Sequence, residues 1–434
     1  MLDVPASPRP LISVIMANYN GARYLRTAID SVLAQTQSDL ELIVSDDAST
    51  DESRELVEGY ETHDPRVRLV IAGGNGGPAR ARNRALDAAR GDWIAIVDSD
   101  DILHPERFER LLATAERFDA DAVADDLLHF ASSGHAPASL LLDGDDFTNP
   151  FRLTPSLYVR GDIHGSTIPN FGYLKPMIRS ASLAGARYDE TLRIGEDYDL
   201  VLRLLLRGLR FQVTPEPTYL YRRHDKSISH RLSVETVADM IACQKSLQER
   251  HGVLDPEIES ALAARMRGLE RGLDYEKLVA ALKARNVGNV VALLARRPSL
   301  AGSLVTSVRS RFERSRVSAP DTGDEKSVTI ILTDLDPRSE RVEALTSAAA
   351  SDAVSEIRVE QVPLYSPPGS VNDEVGVERE LWRRLATIGR RKGTRLLVDG
   401  PAGLYAAGFI PSDDVPETWK PVADRIEERA RAGG

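Results

Sequence analysis

The sequence holds one cysteine, no excess of positive charge and no long apolar run, and each lack narrows what the chain can be. Cys243 alone can form neither an intrachain disulfide nor a multi-cysteine zinc site, and its helical-looking surroundings, Val234 to Leu247, read as those of a core thiol. The 55 Lys+Arg against 66 Asp+Glu leave a net charge of −11. That balance argues against a protein that wraps nucleic-acid phosphates, so no nucleic-acid partner is expected. No stretch approaches the ~20 apolar residues of a membrane span, and the first apolar run, Leu11 to Ala17, is too short for a signal sequence. The expected location is the cytoplasm, with at most peripheral attachment to the inner face of the cytoplasmic membrane.

What is present is a chain of 434 residues, 42% hydrophobic and 28% charged, which suits one catalytic-sized unit with additions. From Ile12 to Asp101 an apolar run, a turn and an amphipathic run alternate. Ile12–Ala17 reads as a buried strand, and Leu40–Ser45, Val67–Ile71 and Trp93–Val97 as the second, third and fourth strands. Between them lie a helix capped by Asn20 with Tyr24, Leu25, Ala28, Ile29, Val32 and Leu33 on its apolar face, a helix capped by Ser49 or Thr50, and a helix from Pro78 to about Arg90. This alternation predicts an α/β fold with a mostly parallel sheet covered on both faces, whose ligands sit beyond the carboxyl ends of the strands. Ser132 to Gly172 reads as a loop-rich, substrate-side excursion, and Val234 to about Arg316 as helical. The tail offers strands at Val328–Leu332, Ile357–Val362 and Arg395–Val398, a small α/β appendage. The expected organisation is 1–230 catalytic, 231–316 helical, 317–326 linker and 327–434 a C-terminal extension.

Chemistry gathers at the strand ends. Asp98-Ser99-Asp100-Asp101 crowds carboxylates that repel one another unless a cation sits among them, and oxygen ligands suit Mg²⁺ or Mn²⁺ bridging phosphates; a polar turn capping the next helix is the alternative. Asp46-Asp47 ends the second strand at the same sheet edge, either contacting a nucleotide or capping a helix. Glu196-Asp197 opens a helix after Gly195; a carboxylate there can take a proton from an acceptor hydroxyl, or simply favour the helix dipole. Arg222-Arg223-His224 can neutralise a leaving diphosphate, with His224 a candidate metal ligand, or be a solvated basic loop.

Four segments carry a resemblance: Ser13–Thr36 (SVIMANYNGARYLRTAIDSVLAQT), Glu41–Asp51, Gly76–Phe108 and Arg187–Gly208. In order and spacing they resemble the family-2 glycosyltransferases of GT-A fold, over roughly residues 10–230, and look most like bacterial members that build exported polysaccharides of the succinoglycan type. The resemblance implies that Asp47 hydrogen-bonds the nucleotide base, with Ala17 and Tyr19 lining that pocket. It implies that Asp98 approaches the ribose or donor sugar, Asp100 ligates Mn²⁺ or Mg²⁺, and His224 completes the metal shell. Asp197 matches the catalytic base, with Glu196 beside it, while Arg82 and Asn83 fall near the nucleotide. Ala48 stands where the family has glycine, a change the turn tolerates if its dihedrals are ordinary.

The expected reaction is an inverting transfer from a nucleotide-diphosphate sugar, UDP-linked, to a saccharide or lipid-linked acceptor, with Arg222 or Arg223 helping the diphosphate depart. Two rivals stand beside it. A sugar nucleotidyltransferase also needs a strand-end metal site, but Gly73–Gly77 follows the third strand rather than cradling phosphates near the N-terminus. A catalytically inactive scaffold subunit would not need Asp47, Asp98, Asp100 and Asp197 all intact. Finally, Lys283 to Arg316 carries eight Lys/Arg against the single acid Glu313, interleaved with apolar residues. Such a stretch can lie on an anionic membrane surface or form a helix pair with a solvated basic face.

Overall fold

Strand β1 (Ile12–Asn18) is apolar almost throughout because both of its faces are covered, and six of its seven residues are buried. In the computed structural model the described residues are 10–104, 106–131, 139–142, 145–163, 165–223, 233–302, 304, 328–333, 356–361 and 394–399. After β1 the chain runs through α1 (Ala22–Leu33), β2 (Leu40–Asp46), α2 (Ser53–His63), β3 (Val67–Ile71), α3 (Pro78–Ala88) and β4 (Trp93–Ile96). Strands β2 and β4 flank β1, both parallel to it, and β3 lies outside β2. The chain therefore winds outward to β3 and returns to the other side of β1. That reversal opens a crevice beyond the carboxyl ends of β1 and β4, where an α/β sheet takes its ligands.

The second half continues with β5 (Ile102–Leu103), α4 (Arg107–Arg117), β6 (Ala122–Ala124), β7 (Leu127–Ala131), β8 (Ser139–Leu140), β9 (Phe151–Leu153), α5 (Pro155–Gly161), β10 (Met177–Arg179), α6 (Ser180–Leu183), α7 (Glu196–Leu206), β11 (Phe211–Val213) and β12 (Tyr219–Arg223). The main sheet has the order β3-β2-β1-β4-β10-β6-β11-β9, with β10 antiparallel to both neighbours and β9 antiparallel at the edge. A second sheet, β5-β12-β7-β8, sits directly downstream of the Asp98–Asp101 turn. Three helices follow, α8 (Val234–His251), α9 (Pro256–Lys283) and α10 (Val287–Arg296). The tail contributes β13 (Val328–Thr333), β14 (Glu356–Gln361) and β15 (Thr394–Asp399), a parallel sheet with β13 at its centre.

Several local readings need correction. Asn20 does not cap α1: it adopts φ of 52°, and the Ala22 amide at the start of the helix donates to Asp51 instead. The side chain of Asn20 accepts from the Thr50 amide, so the loops after β1 and β2 cap one another. Helix α2 consequently starts at Ser53, later than a Ser49 or Thr50 cap implies. Ser132 to Gly172 is far from a plain loop, because β9 joins the main sheet and α5 starts at Pro155, where Thr154 accepts from the Leu157 amide. Its pattern is short and interrupted, so periodicity gives little signal. Cys243 is half-buried, and its thiol donates to Asp199 on α7.

The helices after residue 233 pack against the α/β half. Arg265 of α9 is buried, donates to Asp162 at 2.6 Å and to Gln244 at 2.7 Å, and stacks over the Tyr198 ring of α7 at 4.0 Å. One guanidinium thereby links α9 to α8, to the end of α5 and to the helix that begins with Glu196 and Asp197.

Candidate active site

The turn after β4 gathers three carboxylates, Asp98, Asp100 and Asp101, each with an oxygen within 4.8 Å of the others. Asp101 is buried and accepts from the Tyr219 hydroxyl at 2.7 Å and the Arg222 amide at 2.7 Å, both from β12. Burial first, and then the charges of Asp100 and Asp98, push its carboxyl well above the usual range. Like charges held this close favour a divalent cation, and the oxygen-only donor set fits Mg²⁺ or Mn²⁺. Asp98 and Asp100 are partly exposed, whereas Asp101 is buried.

Asp98 has different neighbours. Its Oδ1 accepts from Arg82 Nη2 at 2.8 Å, and its Oδ2 meets Lys175 Nζ at 2.7 Å. Burial alone would raise this carboxyl, but Lys175 and then Arg82 more than reverse the effect and hold it well below the usual range. Arg82, buried on α3, also donates to Glu196 Oε1 at 2.6 Å and approaches Asp197 Oδ2 at 3.5 Å. Lys175 reaches the same Asp197 oxygen at 3.3 Å. Two buried cations thus sit among three carboxylates from two distant turns, those after β4 and at the start of α7. Burial raises the Glu196 carboxyl, as does the charge of Asp197, and Arg82 partly offsets both. Gly195 makes the entry possible: its φ of 87° turns the chain into α7 so that Glu196 and Asp197 occupy the first turn.

Other sequence-predicted residues are drawn in to differing degrees. Asp47 is buried and its Oδ2 accepts from the Gly76 and Gly77 amides at 2.8 and 2.7 Å, while Arg84 donates to Oδ1. Its carboxylate clamps the end of the glycine loop and occupies the Gly76 and Gly77 amides. Ala48 has φ of 63°, so the turn does not have the ordinary dihedrals that would make alanine neutral there. Asn83 faces the polypeptide rather than the crevice: it bonds both the amide and the carbonyl of Tyr188, and Glu190. Ala17 and Tyr19 flank the end of β1, with Tyr19 half exposed. Arg222 is buried, its Nε donating to the Asp100 carbonyl at 2.6 Å and its guanidinium lying over Tyr24. Arg223 is exposed, and His224 lies outside the described residues.

Sequence reasoning missed Lys175 and the Asp101–Tyr219 pair. A signal for the first exists: Lys175 is the sole charge between Tyr173 and Ile178, immediately before a strand whose residues Met177 and Ile178 are buried. The second depends on β12 pairing with β5, which no local pattern reveals.

Comparison with known proteins fits this geometry. Residues 13–179 match the family model described as Glycosyl transferase family 2. The succinoglycan biosynthesis protein ExoO of Rhizobium meliloti is 34% identical over 313 residues, covering 72% of this chain and 85% of its own. ExoU of the same organism is 33% identical over 231 residues, covering 51% and 65%. Among solved structures, the mannosyltransferase PcManGT from Pyrobaculum calidifontis in complex with GDP-Man and Mn²⁺ aligns at 19% identity and a TM-score of 0.47, over 70% of this chain and 81% of that one. With a family match that spans both strand-end acidic turns and a 34%-identical relative aligned over 85% of its length, this chain belongs to glycosyl transferase family 2.

Proposed function

We propose that the protein is an inverting glycosyltransferase that moves a sugar from a nucleotide-diphosphate donor, UDP-linked, to a hydroxyl of a saccharide or lipid-linked saccharide in polysaccharide synthesis. The observation that carries this reading is the meeting of Asp98 and Asp197 across Arg82 and Lys175. It sets a strand-end acidic turn suited to a cation beside a carboxylate suited to proton removal.

In the single displacement, Asp197 takes the acceptor hydroxyl's proton as that oxygen bonds to the anomeric carbon from the face opposite the leaving group. The bond from the anomeric carbon to phosphate oxygen breaks, and its electron pair leaves with the nucleoside diphosphate. Asp100, with His224 as the resemblance implies, would hold a divalent ion, which would neutralise the diphosphate charge. Arg222 and Arg223 end strand β12 rather than forming a loop, and Arg222, bonded to the Asp100 carbonyl, adds positive potential beside the acidic turn. Asp47, Ala17 and Tyr19 border the nucleotide end, where Asp47 acts at least by ordering the Gly76–Gly77 turn.

Relatives named for succinoglycan biosynthesis favour a polysaccharide as the product, and a lipid-linked acceptor would bring the enzyme to a membrane surface. The test is a screen of nucleotide sugars with Mn²⁺ and Mg²⁺, reading released nucleotide and acceptor product. Release of nucleoside diphosphate supports transfer; pyrophosphate released in a parallel reaction supplied with a nucleoside triphosphate and a sugar 1-phosphate indicates a nucleotidyltransferase, and no turnover in either reaction a scaffold. Asp197→Asn lowers transfer to a residual rate about 10³-fold or more below wild type while UDP binding stays within about threefold; transfer at near wild-type rate sinks the assignment of the base.

A further inference from the structure

We propose that Lys175 is a positioning residue for the transfer: with Arg82 it holds one oxygen of Asp197 and so leaves the other to receive the acceptor's proton. The proposal rests on Asp197 as the base, and it adds which oxygen acts and what orients it. Both cations converge on Oδ2, Lys175 Nζ at 3.3 Å and Arg82 Nη2 at 3.5 Å. Oδ1 is buried and has no hydrogen-bond partner among the described residues. A buried carboxylate oxygen without a donor is unusual in a folded protein and calls for an explanation such as a catalytic role, and here it is an acceptor a substrate hydroxyl can satisfy.

The lysine is itself held firmly enough to do this. It is 4% exposed, and its ammonium is shared with Asp98 Oδ2 at 2.7 Å. Its backbone carbonyl accepts from Arg107 Nη2 at 2.6 Å, and Arg107 is locked in a fully buried pair with Asp125. The Tyr221 ring closes one side, 5.9 Å from Nζ. Asp98 therefore acts as the shared counter-ion that fixes both cations, and the cations in turn fix the rotation of the Asp197 carboxylate. A rigid partner at one oxygen leaves a single orientation for the other, which is the kind of support a general base needs to sit within reach of its proton.

A double-mutant cycle in the full chain separates this from a merely structural counter-ion. Activity is read as nucleoside diphosphate released from the nucleotide sugar that the wild type consumes in the screen above, and binding is read with UDP and Mn²⁺. Lys175→Met is expected to lower kcat about 100-fold, with the donor KM changed less than about threefold, and Lys175→Arg to recover at least about a tenth of the wild-type kcat. In the Asp197→Asn background, followed over hours, Lys175→Met should cost no further activity beyond about twofold, because its effect passes through the missing carboxylate. If the two losses multiply, or if Lys175→Met raises KM at unchanged kcat, the positioning role is overturned. Should Lys175→Met fail to give a cooperative thermal transition, Lys175→Gln replaces it and the same three comparisons decide. Near wild-type transfer by Asp197→Asn would instead overturn the base assignment itself, an outcome distinct from a failure of Lys175.

Discussion

Arg82 on α3 places Nη1 2.6 Å from Oε1 of Glu196 on α7, although 114 residues separate them in sequence. The same guanidinium holds Asp98 through Nη2, so one side chain joins the two turns on which the proposed reaction depends.

Removing that guanidinium strands buried charge. Arg82→Ala leaves Glu196 without its cation and Asp98 and Asp197 with Lys175 alone, and breaking a buried pair of this kind costs about 3–5 kcal/mol. Arg82→Lys keeps the charge but lacks the fork that spans Glu196 and Asp98 together, so its loss should fall between wild type and Arg82→Ala. Urea unfolding of the three proteins checks the order, and equal midpoints would show that the cluster does not depend on Arg82.

Ala48 sits at φ of 63° between Asp47 and Ser49, in a turn whose neighbours are fixed by Asp46, Asn18 and Asn20. A left-handed alanine is strained by about 1–2 kcal/mol, and glycine regains part of this while adding freedom to the unfolded chain. Ala48→Gly should therefore raise stability by about 0.5–1 kcal/mol, and Ala48→Val, β-branched at a positive φ, should lower it. Thermal unfolding read at one heating rate decides, and a lower midpoint for Ala48→Gly contradicts the argument.

Strands β1, β2 and β4 were legible in the sequence because a strand covered on both faces reads as a largely apolar run, whereas β3, only one of whose residues is buried, showed as a short run between turns; the acidic turns after β2 and β4 follow from their position. Glu196 and Asp197 were legible as a helix start. What the sequence hid is pairing at a distance. Lys175 precedes a short antiparallel strand, β10, inserted between β4 and β6. Nothing in its own segment reveals that Asp98 and Asp197 will surround it. Asn83 shows the converse: its motif suggested a nucleotide contact, but its amide is spent on the Tyr188 backbone. The turn at Asn20 was misjudged for a related reason, since its cap comes from Asp51 in another loop rather than from the residue before the helix.

Cys243 offers a probe of the α7–α8 contact. Its thiol donates to Asp199 Oδ1 at 3.1 Å, and burial, together with the Asp199 charge, pushes it up to about 12. Only the thiolate reacts with iodoacetamide, so alkylation at pH 8 should be roughly 10³-fold slower than for an unperturbed thiol whose value lies some three units lower. The sign follows from the raised value: reactivity appears only as pH climbs toward it, and Asp199→Asn should bring it back toward neutral pH. Mass spectrometry of timed samples measures this, and rapid labelling of the native wild type at pH 8 would show that α7 and α8 separate readily.

The basic stretch beginning at Lys283 bears on where the enzyme works. Helix α10 has no buried residue among those described, and Val287 and Val291, one turn apart, are 71% and 60% exposed. No acid occurs from residue 283 to 302, while Lys283, Arg285, Arg296 and Arg297 bracket the helix, Arg297 being paired with Asp274 on α9. No described helix is long and apolar enough to cross a membrane, so any contact would lie along the surface. Apolar insertion and basic flanks act together on anionic lipid, at about 1 kcal/mol per basic residue near the surface. The full chain should float with vesicles containing phosphatidylserine and much less with neutral ones, and the Val287→Asp/Val291→Asp double variant should lose that recovery without losing its thermal transition. Equal recovery from both vesicle types, or from the wild type and the double variant, would leave α10 a solvated helix resting on α9 and remove this route to a membrane surface.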